Sequence, residues 1–394
     1  MKRLTLMYSE KEDGIWNAPK AVADDGTLDS QINADGKFVV WENTKTILDA
    51  NESNFVNIMG ASEIAVARYN GNGYDAPIIL TDNAVADFSP VVAANGDCAI
   101  VAWLSNTESD IFSQNGTTSI CYRCFDGTKW EETQYIDNVG AVSRLEVQYY
   151  DNIVQIIYKK ANDINVFDIT ANQTKAVYSG DIRQYASSPD GVYVFTASDE
   201  IVFADYNGNS SMVADDITYN GIPQFVHSSE VSYLLWCENV DAGIRLCGIK
   251  ETENEWSDKL VFLSGDYDIV SPYANLTENG FSIGYIRRTN TNSLQDGDVV
   301  PDKLTCDLYI SDILPTYNLK AEYAEYSGDG IITYTITNTG TEDINAFDVS
   351  ISQNGNSIAS EQVNEKIIAG GSITKEVIVD DFDENSEAIL SVET

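Results

Sequence analysis

The 394-residue sequence predicts an all-β chain: a β-propeller of six blades, with seven as the alternative count, followed by a small Ig-like β-sandwich. Three observations carry this expectation. Short runs rich in Val, Ile, Tyr, Phe and Thr alternate with period two and end in Asn, Asp and Gly, as in residues 36–41, Gly-Lys-Phe-Val-Val-Trp. A strand–turn–strand phrase ending in an aromatic recurs at Trp41, Trp103, Tyr158, Phe195, Trp236 and Tyr285. The mean spacing of these ends is about 49 residues, within the ~40–50 that four strands and their turns occupy in a propeller blade. No stretch shows a convincing amphipathic helix.

Each blade reads as an inner and an outer strand pair. Residues 89–103 and 271–285 are clear inner pairs, each opening on Ser-Pro and turning at Asn-Gly. The outer pairs run a strand into an Asn/Asp/Gly turn, then an aromatic, often Pro, and an apolar strand; they fall at 4–22, 64–80, 120–136, 164–178, 201–213 and 246–263. Six outer and six inner pairs give six blades. Because the chain starts on an outer pair and ends its repeats on an inner pair, the first and last segments are expected to complete one blade together. The leftover strand at 306–313 is the alternative partner for the last inner pair, and that arrangement goes with seven blades.

After Leu314-Pro315 the texture changes, which sets the domains at 1–314 and 315–394. The second region lacks the blade phrase and has no Cys or Trp. It alternates strongly, with Ile332, Tyr334 and Ile336 on one face and Thr333, Thr335 and Thr337 on the other. About seven short strands in this length are the pattern of an Ig-like sandwich. The phrases at 334–341 (Tyr-Thr-Ile-Thr-Asn-Thr-Gly-Thr), 346–351 (Ala-Phe-Asp-Val-Ser-Ile) and 369–374 (Ala-Gly-Gly-Ser-Ile-Thr) resemble the bacterial cell-adhesion-related Ig-like family known as CARDB. The propeller part resembles the degenerate propellers of bacterial surface proteins and, more weakly, the sialidase class. It departs from the latter's S-x-D-x-G-x-x-W turns at 9–16 and 126–130 and shows no arginine triad. The resemblance implies an extracellular or cell-surface setting in a bacterium and an adhesive or spacer role, and it carries over no catalytic residue.

Composition narrows the partners. With 62 Asp and Glu against 23 Lys and Arg the net charge is −39, and the densest basic cluster is Arg287-Arg288. Nucleic acid and anionic membranes need a basic footprint, so neither is an expected partner. No apolar run approaches the ~18 residues that span a bilayer, so no membrane insertion is expected. The amino terminus lacks the apolar core of a signal peptide. Met1 reads as an addition to a piece of a longer polypeptide, whose further domains would be its natural partners.

Few residues carry chemistry. The single His227 would have to serve as base for any serine or cysteine hydrolase, and it reads as a hairpin-turn residue instead. H-E-x-x-H zinc chemistry and a phosphate-binding P-loop are both absent. Cys121 and Cys124 form a C-x-x-C that is either redox-active, half of a zinc site or simply part of a strand. Cys237 and Cys247 flank a short turn and are expected to face each other across a hairpin.

One pattern is positional. Every handover from an outer pair to the next inner pair contains acid: Asp24, Asp25 and Asp29; Asp82 and Asp87; Asp137; Asp181; Asp215 and Asp216; Asp266 and Asp268. Arg144 and Arg183 enter at the same point of two units. In a propeller these handovers share a rim, which makes Asp29, Asp87, Arg144, Arg183 and Asp268 the candidate ligand-binding residues. The ligand class is a cation such as Ca²⁺, or a polyhydroxylated glycan; the competing reading is that Asp simply forms turns. No cofactor beyond that Ca²⁺ option, no metal ligand and no catalytic residue is assigned. Trp16, Trp130, Trp256 and Tyr74 beside the outer turns read either as sugar-stacking residues or as packing between blades. Taken together, the sequence points to a non-enzymatic binding or adhesion module for a glycan or protein ligand. The alternatives are a carbohydrate-active enzyme using two acidic residues and a plain spacer.

Overall fold

The computed structural model describes residues 4–49, 51–109, 117–150, 153–228, 231–241, 243–252, 255–277, 280–295, 298–327, 330–379, 382–383 and 386–393. The proposed added Met1 lies outside them. The chain divides into two compact units. The first comprises Met1–Ile182, Pro189–Val192 and Phe203–Ser211; the second comprises Arg183–Ser188, Tyr193–Val202 and Met212–Thr394.

The fold is all-β, built of consecutive antiparallel meanders of the kind that form propeller blades. In the first unit one four-stranded sheet runs Asp29–Asp35, Phe38–Thr44, Ser62–Arg68, Ile78–Ile79 in chain order. The next runs Ala86–Asn95, Cys98–Asn106, Thr118–Phe125, Gln134–Ile136, and a third runs Val142–Tyr150, Ile153–Lys160, Asp163–Asp168, Gln173–Ser179. Each sheet is thus one inner pair followed by its outer pair. Ile182–Ser188, Gly191–Thr196, Ile201–Asp205 and Ser210–Ala214 repeat the order, and the division between the units runs through this sheet. Among the described residues the helical exception is one turn at Phe55–Met59, started by the Asn54 side chain accepting from the Val56 N–H.

Period two explains how the sheets stack. In Cys98–Asn106 the run Ala99 to Leu104 is buried on both faces. Ala99, Val101 and Trp103 pack against Phe38, Val40, Ile64 and Val66 of the preceding sheet. Ile100, Ala102 and Leu104 pack against Leu145, Ile156, Tyr158 and Phe167 of the following one. A strand covered on both sides must be apolar at odd and even positions alike, which is why the inner strands read as continuous hydrophobic runs. The first sheet's other face is covered by Leu6 and Val22, which lie with Tyr74 against Val39 and Trp41.

In the second unit Asn220–His227, Ser232–Val240 and Gly243–Thr252 continue the pattern, with both Leu260–Leu263 and Glu255–Trp256 pairing onto Gly243–Thr252. The last repeat is Asp268–Thr277, Gly280–Gln295 and Asp298–Ile313. The expected closure of one blade by the first and last segments is not what forms. Strand 306–313 runs along the last inner pair, from Phe281 opposite Ile313 to Arg288 opposite Cys306, and so fills that edge. The amino-terminal strands pair with one another, Met7 with Ala21 and Lys11 with Trp16. Loop closure explains the choice, because a neighbouring hairpin strand is cheaper to recruit than one nearly three hundred residues away by rough count.

The carboxy-terminal region folds as two three-stranded sheets, Leu319–Tyr326, Ile331–Asn338, Ser372–Ile378 and Asn356–Val363, Phe347–Gln353, Ala388–Glu393. This gives six strands among the described residues rather than about seven. Tyr334 and Ile336 of one sheet meet Phe347, Val349 and Val363 of the other in a shared core. Thr335 and Thr337 face out, bonded to Thr374 at 2.9 Å and to Ser372 at 2.8 Å.

The cysteine expectations resolve through strand parity. Cys121 and Cys124 are three apart on one strand, so they point to opposite faces: Cys121 sits in the core shared with the preceding sheet and Cys124 against the following one. Burial pushes their thiols up to about 12 and about 11. Cys237 is opposite Leu246 while Cys247 is opposite Trp236, so this pair is one register apart and on opposite faces rather than facing. All six cysteines are free.

Gly243 sets the approach of two strands. Its φ is +147°, and a Cβ there would lie 2.3 Å from the Tyr267 carbonyl oxygen. Gly243→Ala is expected to cost about 1–3 kcal/mol or more in denaturant unfolding. Gly14 also has a left-handed φ, +80°, but open space around it. Gly14→Ala should lose much less, and equal losses in the two variants would refute the close-approach argument.

Candidate functional site

The five rim candidates are each engaged by a different protein partner. Asp29 is 6% exposed; Oδ1 accepts from Trp41 Nε1 at 2.8 Å and Asn43 Nδ2 at 2.9 Å, and Oδ2 accepts from the Leu6 N–H at 2.9 Å. Asp87 is 1% exposed; Oδ1 accepts from Trp103 Nε1 at 3.0 Å and Oδ2 from Asn83 Nδ2 at 2.7 Å. Burial pushes the Asp87 carboxyl up, with the bonds from Ser105, Asn83 and Trp103 acting against that rise. These two acids therefore lie inside the fold, capping indoles. Arg144 pairs with Glu146. Arg183 donates to Asp199 at 2.9 Å and to the Ala197 carbonyl at 3.1 Å. Asp268 Oδ2 takes both Nε and Nη2 of Arg288, at 2.8 and 2.7 Å.

The same need recurs with different chemistry at Trp236. Its Nε1 reaches Glu238 Oε1 at 3.3 Å, and Glu238 is also held by Lys259 at 3.0 Å and by Arg245 at 2.8 Å. Burial alone would raise this carboxyl, but the hydrogen bonds from Arg245 and Lys259 bring it below the usual carboxylate range. His227 closes its strand opposite Ser232, with Nδ1 3.1 Å from the Ser232 hydroxyl and its ring stacked on Phe225.

Of the outer-turn aromatics, Trp130 and Tyr74 pack between sheets. Trp130 lies edge-on to Phe38 at 6.2 Å and against Phe125 at 5.1 Å. Tyr74 meets Tyr8 and Tyr69, and Trp16 is 46% exposed with Lys11 over its ring. Trp256 packs edge-on against Tyr193 at 5.5 Å and also borders open space.

That space is a cleft of about 510 Å³ in the second unit, within the ~300–1,000 Å³ range of small-ligand sites. Strand Glu255–Trp256 and Lys250 form one wall; Glu342, Asp343 and Asn345 form another; Lys366, Ile368 and Ala369 form the third. Two clasps hold the walls together. Buried Lys250 pairs with Glu342 and reaches the Thr341 carbonyl at 3.4 Å. Lys366 binds Asp343 at 2.9 Å and approaches Glu255 at 3.9 Å. Burial tends to raise the Asp343 carboxyl, yet Lys366 and the Ala369 N–H draw it below its ordinary value. Gly370 fits beside this joint because a Cβ there would meet Asp258 and Leu260 at 3.1 Å. Sequence reasoning singled out only Trp256 here, since the other walls lie some hundred residues further along by rough count and share no motif.

Among the described residues no group of three or more His, Cys, Asp or Glu is placed to hold a metal ion, and no helix is long and apolar enough to cross a membrane. No protein-family model and no curated protein matches the sequence. Among solved structures the chain is similar to a Trypanosoma rangeli sialidase, at 8% identity over 98% of this chain and 86% of that one, with TM-score 0.45. It is similar to Kluyveromyces lactis Hsv2 at 8% identity, covering 84% and 94%, with TM-score 0.44. A third is Pyrococcus horikoshii acylaminoacyl peptidase, at 11% identity and TM-score 0.42; the alignment takes in 79% of this chain and spans 58% of the peptidase.

The indole caps generate a paired expectation. Trp103→Phe removes the donor and leaves Asp87 Oδ1 short of a buried partner, costing about 1–3 kcal/mol beyond the lost volume. A carboxyl raised in the folded state lends stability below its ordinary range and loses it as pH rises through the elevated value. The melting temperature of the wild type relative to Asp87→Asn should therefore fall as the pH rises above the ordinary carboxylate value of about 4. A pH-independent difference would contradict the buried-charge account.

Proposed function

We propose that the chain is a non-enzymatic binding or adhesion module of a bacterial surface or secreted protein. On this reading residues 1–314 are a β-propeller and 315–394 a CARDB-like Ig domain. The observation that carries it is the cleft bordered by Trp256. It offers an aromatic surface, an exposed Asn345 and charged side chains whose carboxylates are already ion-paired. A carboxylate clasped by lysine is built to hold a shape and accept hydrogen bonds. A general acid instead needs a proton to give near neutral pH, and Asp343 is held on the ionised side.

The reading is tested by measuring binding of the purified chain to glycan and protein arrays beside a Lys366→Glu variant. That reversal sets a third acid against Asp343 and Glu255 and should open the clasp, weakening retention by about tenfold or more while the melting temperature moves little. Turnover of chromogenic glycosides by the wild type, abolished by Asp343→Asn or Glu342→Gln, would overturn the non-enzymatic reading in favour of a glycoside hydrolase.

A further inference from the structure

Resting on that reading of the cleft as a binding site, we infer that its ligand is a neutral oligosaccharide whose ring stacks on Trp256. Three features converge on this class. The indole lines the cleft and packs on Tyr193 at an interplanar angle of 81°, so its position is set before binding and little entropy is lost. Sugars offer an indole their C–H face while their hydroxyls point sideways.

Those hydroxyls meet groups suited to them. Glu342 and Asp343 accept, the exposed Asn345 amide both accepts and donates, and Lys366 donates. Ser257 is already committed, its Oγ accepting from the Lys250 N–H at 3.0 Å and donating to the Asp258 carbonyl at 2.8 Å, so it shapes the wall.

Charge excludes the ionic alternatives. The cleft sets Lys250 and Lys366 against Glu255, Glu342 and Asp343, and each lysine is clasped to an acid. An anionic glycan would find no cation without an acid partner here and would face a net charge of −39 on approach. A cationic peptide would find Glu342 and Asp343 already clasped by lysine, with only the exposed Glu255 held loosely. What remains favourable is a ligand that brings dipoles and an apolar face.

The experiment is a glycan array of neutral and anionic oligosaccharides together with a protein array, probed with the full chain, Trp256→Ala and Asn345→Ala. Asn345 is exposed, so its truncation leaves the fold intact even if loss of Trp256 disturbs the packing on Tyr193. Retention on neutral glycans, weakened about tenfold in both variants with the melting temperature of Asn345→Ala unchanged, is the expected result. Neutral-glycan binding indifferent to Asn345→Ala puts the sugar site elsewhere and overturns the inference while the binding-module reading stands. Binding confined to anionic glycans or to proteins overturns the ligand class alone. Blank arrays of both kinds overturn the inference and the function it rests on.

Discussion

A buried indole has one N–H, and that hydrogen must find an acceptor or cost the fold a desolvated donor. Trp41, Trp103 and Trp236 are each at most 1% exposed, and each finds a carboxylate: Asp29, Asp87 and Glu238. At Trp41 and Trp103 the acid lies on the preceding strand, two residues beyond the tryptophan in the pairing, Asp29 opposite Asn43 and Asp87 opposite Ser105. In these two inner pairs the bond therefore pins the first strand to the second at the end where the chain enters the sheet. Asp29 extends the device by accepting the Leu6 N–H, which fastens the amino-terminal strand to the first sheet.

With entry fixed in this way, stacking follows from alternation. Every second residue of an inner strand is handed to the sheet before it and the rest to the sheet after it, so one strand serves two cores. A register slip of one residue would exchange the two sets. The indole cap opposes such a slip, because it would move Trp103 away from Asp87 and leave both groups buried without each other.

The repeat was legible because it rests on period two and on large aromatics at fixed places, and both are visible one residue at a time. The handover acids were legible too, as a pattern. Their physical role was not, since a carboxylate that caps an indole and one that lines an open rim occupy the same position in the repeat. The tryptophans twelve and sixteen residues downstream of Asp29 and Asp87 were the available signal. The parity of Cys121 and Cys124 was also decidable from the strand assignment, whereas the one-residue offset of Cys237 and Cys247 depends on the register around Gly243. The cleft was hidden for a different reason: its walls come from a blade strand near Lys250 and from two separate stretches of the sandwich, joined only by tertiary packing.

Scarcity of cations gives the positions of the lysines and arginines their meaning. With 23 basic residues against 62 acidic ones, most carboxylates must rely on water or on neutral donors, as Asp29 and Asp87 do inside the fold. A lysine clasped to a carboxylate is in consequence a marker of where negative charge had to be cancelled. Lys45 does this for Glu63, which is fully buried, at 2.9 Å, and Lys259 with Arg245 does it for Glu238. The cleft holds two more, one of them buried, around acids that a surface this acidic would otherwise leave to water. It is thus a place where a strongly anionic chain has made itself locally close to neutral beside a fixed indole. That is the environment in which hydroxyl dipoles and a C–H face compete best, because neither is repelled by the field nor outbid by counterions.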